Sequence, residues 1–309
     1  MYEIKKDFEE RHKLILGKDY DVFRDILLKP LPASFRINTL KISREEMLNR
    51  LKSYGWNLKD VPFYRDGFVF EGKKPVVLGN TLEHFLGYIY IQEVASMIPP
   101  VVLEPEHGDV ILDMAAAPGS KTTQIAQIIS DNGVIVANEK ILSRLASLRS
   151  NLQRCGIKCV ITTKIDGRNF RNAGLKFDKV LLDAPCTGTG AIMKSPKTLK
   201  TWSINTSKGL SGIQKQLLQA AAESLKEDGT LVYSTCSLEP EENEENINWA
   251  VSKLGLVVKE IKLHGFKTRH GIINWDNKDF DKQVEKCIKI YPQDNNTEGF
   301  FVAKLKKEG

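Results

Sequence analysis

No apolar run in the chain reaches the roughly 20 residues that a membrane-crossing helix takes, and the opening MYEIKKDFEERHK is too charged for a secretory signal. Both absences predict a cytoplasmic protein. Cysteine is sparse: five in 309 residues, scattered, with no CxxC pair and no histidines at zinc spacing. That excludes a disulfide framework and predicts no metal, leaving each thiol to be judged singly. The phosphate-loop pattern GxxxxGK[ST] and the dinucleotide pattern GxGxxG are both missing. Charge of one sign is not strongly dominant; a net +6 permits a polyanionic partner without requiring one. What remains, 41% hydrophobic and 27% charged, is ordinary for a globular chain long enough for two domains.

The stretch DMAAAPGSKT, 113 to 122, lies between DVIL, a short apolar run suited to a buried strand, and TTQIAQIIS, whose apolar residues recur at helical spacing. Strand, tight turn and helix follow in order. The turn consists of Ala115, Ala116, Ala117, Pro118, Gly119 and Ser120. Nothing bulky there keeps a ligand from the backbone, and the helix start favours negative charge. Small residues could equally serve close packing of helix on strand. GVIVANEK, 133 to 140, tips the reading: a second strand ends at Glu139, about twenty residues on, where a nucleotide-binding α/β unit places the acid that meets ribose hydroxyls.

Residues 1 to 29 read as one or two amphipathic helices with Phe8, Leu14, Ile15, Leu16, Val22, Phe23, Ile26 and Leu27 as apolar positions, ended by Pro30 and Pro32. SFRINTL suits a strand, and Ser43 with Glu46 forms a capping box opening a helix closed by Gly55. Two short strand-like runs up to Gly72 surround Pro62 and Asp66-Gly67. The span 34 to 90 is thus a small α+β module. Arg36, Lys41, Arg44, Arg50, Lys52, Lys59 and Arg65 interleave there with Phe35, Tyr54, Trp56 and Tyr64, a mixture that can neutralise and stack single-stranded nucleic acid, or simply place solvated charges over an aromatic core. The predicted division is 1–104 and 105–309.

From 108 on, strands DVILD, GVIVANE, KCVITTK, FDKVLLD and GTLVYST alternate with helices at about 119–130, 141–155, 207–226 and 240–253, the pattern of a doubly wound, mostly parallel sheet. Ligands in such sheets bind beyond the carboxyl ends of the strands. Asp113, Glu139, Asp166 and Asp183 all fall at or just past those ends. So do Cys186, in LLDAPCTGTG, and Cys236, in VYSTCS. Consecutive strands are usually neighbours, so both thiols and Asp183 are expected in one crevice, whereas Cys155, Cys159 and Cys287 read as inert.

Taken in order, SFRINTLK, YIQEVASM, DMAAAPGSKT, LLDAPCTGTG, VYSTCSLEPEENE and TEGFFVAKL resemble the RNA 5-methylcytosine methyltransferases of the Sun/Nop2 family, over most of the chain. The resemblance implies a Rossmann-like domain that uses S-adenosyl-L-methionine, an N-terminal module that helps hold RNA, and two cysteines at the site. Cytosine C5 is a poor nucleophile, so a thiolate must add at C6 before the ring can accept a methyl group. By resemblance Cys236 attacks, and Cys186 helps eliminate the adduct. Asp183 would draw charge from the ring through N3, and Lys121 would contact the base or keep a cysteine ionised.

For the cofactor, the resemblance implies that backbone at 115 to 121 meets the amino-acid part, Glu139 the ribose hydroxyls, Asp166 the adenine and Asp183 the methionine, with Arg144 orienting Glu139. The expected substrate is RNA, tRNA ahead of ribosomal RNA, bound by a monomer with no further C-terminal RNA-binding domain. A cofactor-binding RNA chaperone without turnover is the rival class, against which two intact cysteines speak. Departures from the family are Ala115 for cysteine, Ser120 for glycine and Glu139 for aspartate. KIYPQDNNTEGFF lacks the family's Arg and Trp-Pro-His, keeping only Pro292.

Overall fold

A computed structural model describes residues 4–71 and 77–308. Residues 1–3, 72–76 and 309 lie outside the described residues, and with them the first residues of the 1 to 29 stretch and Gly72 at the end of the strand-like runs. In the N-terminal module, strands β1 (Ser34–Ile37), β2 (Leu58–Val61), β3 (Tyr64–Phe70) and β4 (Ile89–Ile91) form an antiparallel sheet of order β2-β3-β1-β4. The helix Arg44–Ser53 packs on it; Ser43 Oγ caps its start by accepting from the Glu46 amide at 3.2 Å. Of the two points that the strand-like runs surround, Asp66-Gly67 lies inside β3, and the chain reverses at Pro62-Phe63. Gly67 is there because a Cβ would lie 2.9 Å from Met97 Sδ.

The larger sheet carries β5 (Val110–Asp113), β6 (Val134–Asn138), β7 (Val160–Thr163), β8 (Phe177–Asp183) and β9 (Leu225–Thr235), all parallel to their neighbours, in the order β9-β8-β5-β6-β7. The predicted Rossmann-like parallel sheet is thus present. Alternate residues face opposite layers. Ile111, Leu181 and Val232 meet the helices Ile98–Leu103 and Ser120–Ile128, while Leu112, Val180, Leu182 and Tyr233 meet Ile204–Ser224 and Glu244–Leu254. Because β8 returns to the other side of β5, the strand order reverses between them, and that switch point opens a crevice at their carboxyl ends.

No strand is predicted from the sequence past Thr235, yet the sheet continues. After β10 (Leu256–Lys259), β11 (Arg269–His270) and the ribbon of β12 (Asn274–Trp275) and β13 (Lys278–Asp279), strands β14 (Ile288–Ile290) and β15 (Phe300–Lys307) extend it antiparallel, β15 lying along β9. Thr235 pairs with Phe301, so the segment TEGFF arrives beside Cys236.

In the N-terminal module one expectation is corrected, that Arg36 lies at the surface, and of the two readings left open the aromatic core holds for Phe35 and Tyr64. Arg36 is fully buried, donating to Gln92 Oε1 (2.8 Å), Gln127 Oε1 (2.6 Å), the Ser120 carbonyl (3.3 Å) and the Thr123 hydroxyl; it straps the module to the helix Ser120–Ile128. Phe35 and Tyr64 are core residues. A four-stranded sheet with one helix has too little interior to spare them. Lys41, Lys52, Lys59 and Arg65 remain exposed.

The N-terminal stretch forms helices Lys6–Leu16 and Tyr20–Leu27, with Phe8, Leu16, Phe23 and Leu27 buried but Leu14 and Val22 in solvent. His12 is buried against Phe8, Phe23 and Trp202, its Nδ1–H donating to the Phe8 carbonyl at 2.9 Å. Nε2 lies 3.4 Å from Glu239, a residue also held by Arg11. Burial, with Arg11 adding to it, drops His12 to about 3. Between pH 3 and 6.5 the unfolded chain therefore binds a proton that the folded one refuses, and stability is lost as pH falls through that window. Burial raises Glu239 to about 7, which works in the opposite sense. His12→Gln isolates the histidine: the urea midpoint of the wild type should fall more steeply than the variant's from pH 6.5 toward 3.

Candidate active site

The turn after β5 is pinned from several sides. The Ala116 amide donates to Asn138 O (2.8 Å), Arg144 Nη2 to Ala117 O (2.7 Å) and Asn151 Nδ2 to Pro118 O (2.9 Å). The Ala117-Pro118 peptide is cis. Gly119 has φ +104°, and a Cβ there would lie 2.9 Å from Leu148 Cδ1, so glycine is required before the helix that opens at Ser120. Asn138, which no sequence signal singled out, donates to Met114 O (3.1 Å) and Ile165 O (3.0 Å) and accepts from Thr163 Oγ1 and the Ile165 amide. It fixes the rim loops after β5, β6 and β7 to one another.

Two cavities, each of about 320 Å³, open on this rim. One is lined by Ala115, Ala117, Glu139, Arg144, Asp166 and Cys186, the other by Ser96, Lys121, Lys194, Glu298 and Phe300, and Asp183 and Cys236 border both. The Glu139 carboxylate is buried, accepting from the Ile141 amide at 2.9 Å, with Arg144 Nε 3.4 Å from its other oxygen. Asp166 accepts from Arg168 Nε (2.9 Å) and Nη2 (2.8 Å); this fork holds it down to about 2. Asp113 turns inward, where Thr122 satisfies Oδ2 at 2.6 Å and leaves the buried Oδ1 without a partner among the described residues. Burial raises it to about 6.

Lys121 Nζ lies 2.7 Å from Asp183 Oδ2 and 3.0 Å from Ser96 Oγ, and Ser234 Oγ donates to Asp183 Oδ1 at 2.7 Å. Burial opposes the lysine's charge, but Asp183, Cys236 and Asp113 outweigh it and its pKa is raised. Beside this pair, Cys186 Sγ and Cys236 Sγ are 3.3 Å apart. The hydrogen bond with Cys236, then burial and nearby negative charge, push the Cys186 thiol well up. Cys155 and Cys287 are buried away from the rim, and Cys159, half-buried and beside Asp131, is raised to about 12.

Glu242 anchors the two cysteine loops. Fully buried, it accepts from the Thr187 amide (2.9 Å), Ser237 Oγ (2.9 Å), Gln214 Nε2 (3.0 Å) and Ser207 Oγ (3.1 Å). Its segment, LEPEENE, is visible in the sequence, but an acid whose partners come from three elements has no local signature. The same loops are tied to the last strand: the Gly190 amide donates to Cys236 O (2.8 Å) and the Gly299 amide to Gly190 O (2.8 Å). A Cβ on Gly190 would fall 2.8 Å from Gly299 Cα and closer still to its carbonyl. Gly190→Ala should therefore cost about 2–3 kcal/mol of stability, seen as a lowered urea midpoint.

Residues 100–306 match the family described as 16S rRNA methyltransferase RsmB/F, and residues 4–94 match the N-terminal domain of 16S rRNA methyltransferase RsmF. The chain is 41% identical to a tRNA (cytosine(49)-C(5))-methyltransferase of Pyrococcus abyssi, covering 99% of both. It is 42% identical to the Ribosomal RNA small subunit methyltransferase F of Vibrio atlanticus, over 90% of this chain but only 58% of that one. The structure of a methyltransferase homolog protein from Pyrococcus horikoshii superposes with a TM-score of 0.88 at 38% identity, covering 96% of this chain and 93% of that one. NSun6 from the same organism, solved with SFG, an S-adenosylmethionine analogue, gives 0.88 at 29% identity, with 99% and 98% covered.

Proposed function

Since the chain belongs to the 16S rRNA methyltransferase RsmB/F family, also called Sun/Nop2, we propose that it methylates C5 of a cytosine in tRNA, with S-adenosyl-L-methionine as donor. The 3.3 Å approach of Cys186 to Cys236 at the sheet's switch point carries this reading. Full-length alignment with a tRNA enzyme, against partial coverage of the ribosomal ones, favours tRNA.

The lining residues fit the donor. Glu139 offers a buried carboxylate to ribose hydroxyls and Asp166 borders the same cavity for the adenine, while Asp113, on the adjoining cavity, has an Oδ1 without a partner among the described residues that could take a donor such as the α-ammonium. The bound cofactor supplies an electrophilic methyl group. The hydrogen bond with Cys236 and burial hold the proton on Cys186, and Cys236 lies within the field of the Lys121 ammonium. Cys236 adds to C6 of a base drawn out of its stack. Lys121 and Asp183 sit where they can stabilise the charge pushed into the ring. After methylation a base takes the C5 proton, and the electron pair left behind re-forms the C5–C6 double bond and expels Cys236 as a thiolate, which Cys186, 3.3 Å away, can stabilise by donating its S–H. The exposed lysines of the N-terminal module would hold phosphates, so binding should weaken steeply with salt. In this reading the enzyme works as a cytoplasmic monomer. Bisulfite sequencing of unmodified tRNA and ribosomal RNA after incubation with enzyme and donor tests it: a protected cytosine in tRNA is expected, one only in ribosomal RNA would redirect the substrate, and none in either would overturn the activity.

A further inference from the structure

Resting on the cytosine reading above, we propose that Glu298 selects cytosine over uracil by accepting a hydrogen bond from the exocyclic amine of the base that faces Cys236. Four carboxyl groups border the cavity beyond Cys236. Asp183 is held through both oxygens by Lys121 and Ser234, and Asp113 is tied to Thr122 through Oδ2, its other oxygen turned inward and assigned above to the methyl donor. Glu93 accepts from the Ala95 (2.6 Å) and Ser96 (3.2 Å) amides on one oxygen and from the Glu298 amide (3.1 Å) on the other. Glu298 differs. It is 4% exposed, and its Oε1 has no hydrogen-bond donor among the described residues, Lys194 Nζ standing off at 3.8 Å.

An acceptor left that way inside a protein is costly unless a ligand brings the missing N–H. Its position is fixed by neighbours on both sides: Glu93 holds its amide, and the next residue, Gly299, is bonded to Gly190, which is bonded to Cys236. The cavity also presents the Phe300 ring, 5.3 Å below the Lys121 ammonium, to a planar ligand. Burial and the charge of Glu298 raise Glu93 to about 8. Burial raises Glu298 too, with Lys194 and Lys121 working against the rise, so the pair shares a proton that the more strongly raised Glu93 holds and Glu298 keeps its acceptor oxygens. Cytosine offers an N4 amine to such a group. Uracil would set its O4 acceptor against the carboxylate, a mismatch that a site built to receive N–H rejects strongly.

The test uses the full chain, the wild type and Glu298→Leu, with RNA substrates carrying either cytosine or pyrimidin-2-one, which lacks the amine, at the methylated position. Single-turnover methyl transfer is the readout. Wild type should favour cytosine by about 10- to 100-fold, Glu298→Leu should lose most of that preference, its rate on cytosine falling far more than its rate on pyrimidin-2-one, and Glu298→Gln, which retains an acceptor, should recover part of it. Equal losses on both RNAs by a variant that still binds the methyl donor would overturn the assignment, and if Glu298→Leu does not bind it, Glu298→Gln decides by the same criterion. Wild type that methylates cytosine without preferring it would also overturn the assignment while leaving the activity standing. Wild type inactive on every RNA would remove the cytosine reading and this assignment with it.

Discussion

Changing Cys236 to alanine should lower methyl transfer to RNA by about 10⁴-fold or more, with methyl-donor affinity little altered. The size follows from the substrate. Cytosine C5 cannot displace a methyl group from a sulfonium until something adds at C6, and no other group on this rim offers a comparable nucleophile. Lys121 is a cation paired with Asp183, and the Cys186 thiol is held in its protonated form by Cys236 and burial. Labelled methyl transfer and donor titration by calorimetry separate chemistry from binding. Residual transfer within tenfold of wild type would place the attack elsewhere. A covalent RNA complex formed by Cys236→Ala would move it to Cys186.

The second large effect is qualitative. With Cys186→Ala, donor and RNA, a protein–RNA adduct should accumulate and survive denaturing electrophoresis, at times when the wild type shows almost none. The sulfur of Cys186 lies 3.3 Å from the one that would hold the base, close enough to assist its departure. Removing it leaves addition intact and slows release, so the covalent species becomes the resting state. Free RNA and ordinary turnover in this variant would mean that Cys186 is structural, bracing Cys236 without taking part in release.

Much of the site was legible because each part is announced locally. The small-residue turn between an apolar strand and a helix, the acids at strand ends and the cysteines just past two of them are readable within a window of about ten residues. The misreadings share a cause. Arg36 lies in a basic, aromatic stretch that reads as surface, whether for nucleic acid or for solvent; its neighbours in space, Gln92, Thr123 and Gln127, come from 56 to 91 residues away and make it an internal strut. Asp66-Gly67 has the composition of a turn, but the packing of Met97 makes it the narrow point of a strand.

The sequence by itself determined the class of sheet, the ligand turn and the two thiols, because hydrophobic period and turn chemistry act between residues near in the chain. Tertiary structure alone decided which of these groups touch. The Lys121–Asp183 pair spans 62 positions, the cysteine pair 50, and the bond from the Glu298 amide to Glu93 spans 205. Those meetings depend on strand order and register, with Asp183 opposite Ser234 and Thr235 opposite Phe301. A shift of one residue in either pairing would turn the rim side chains to the other face.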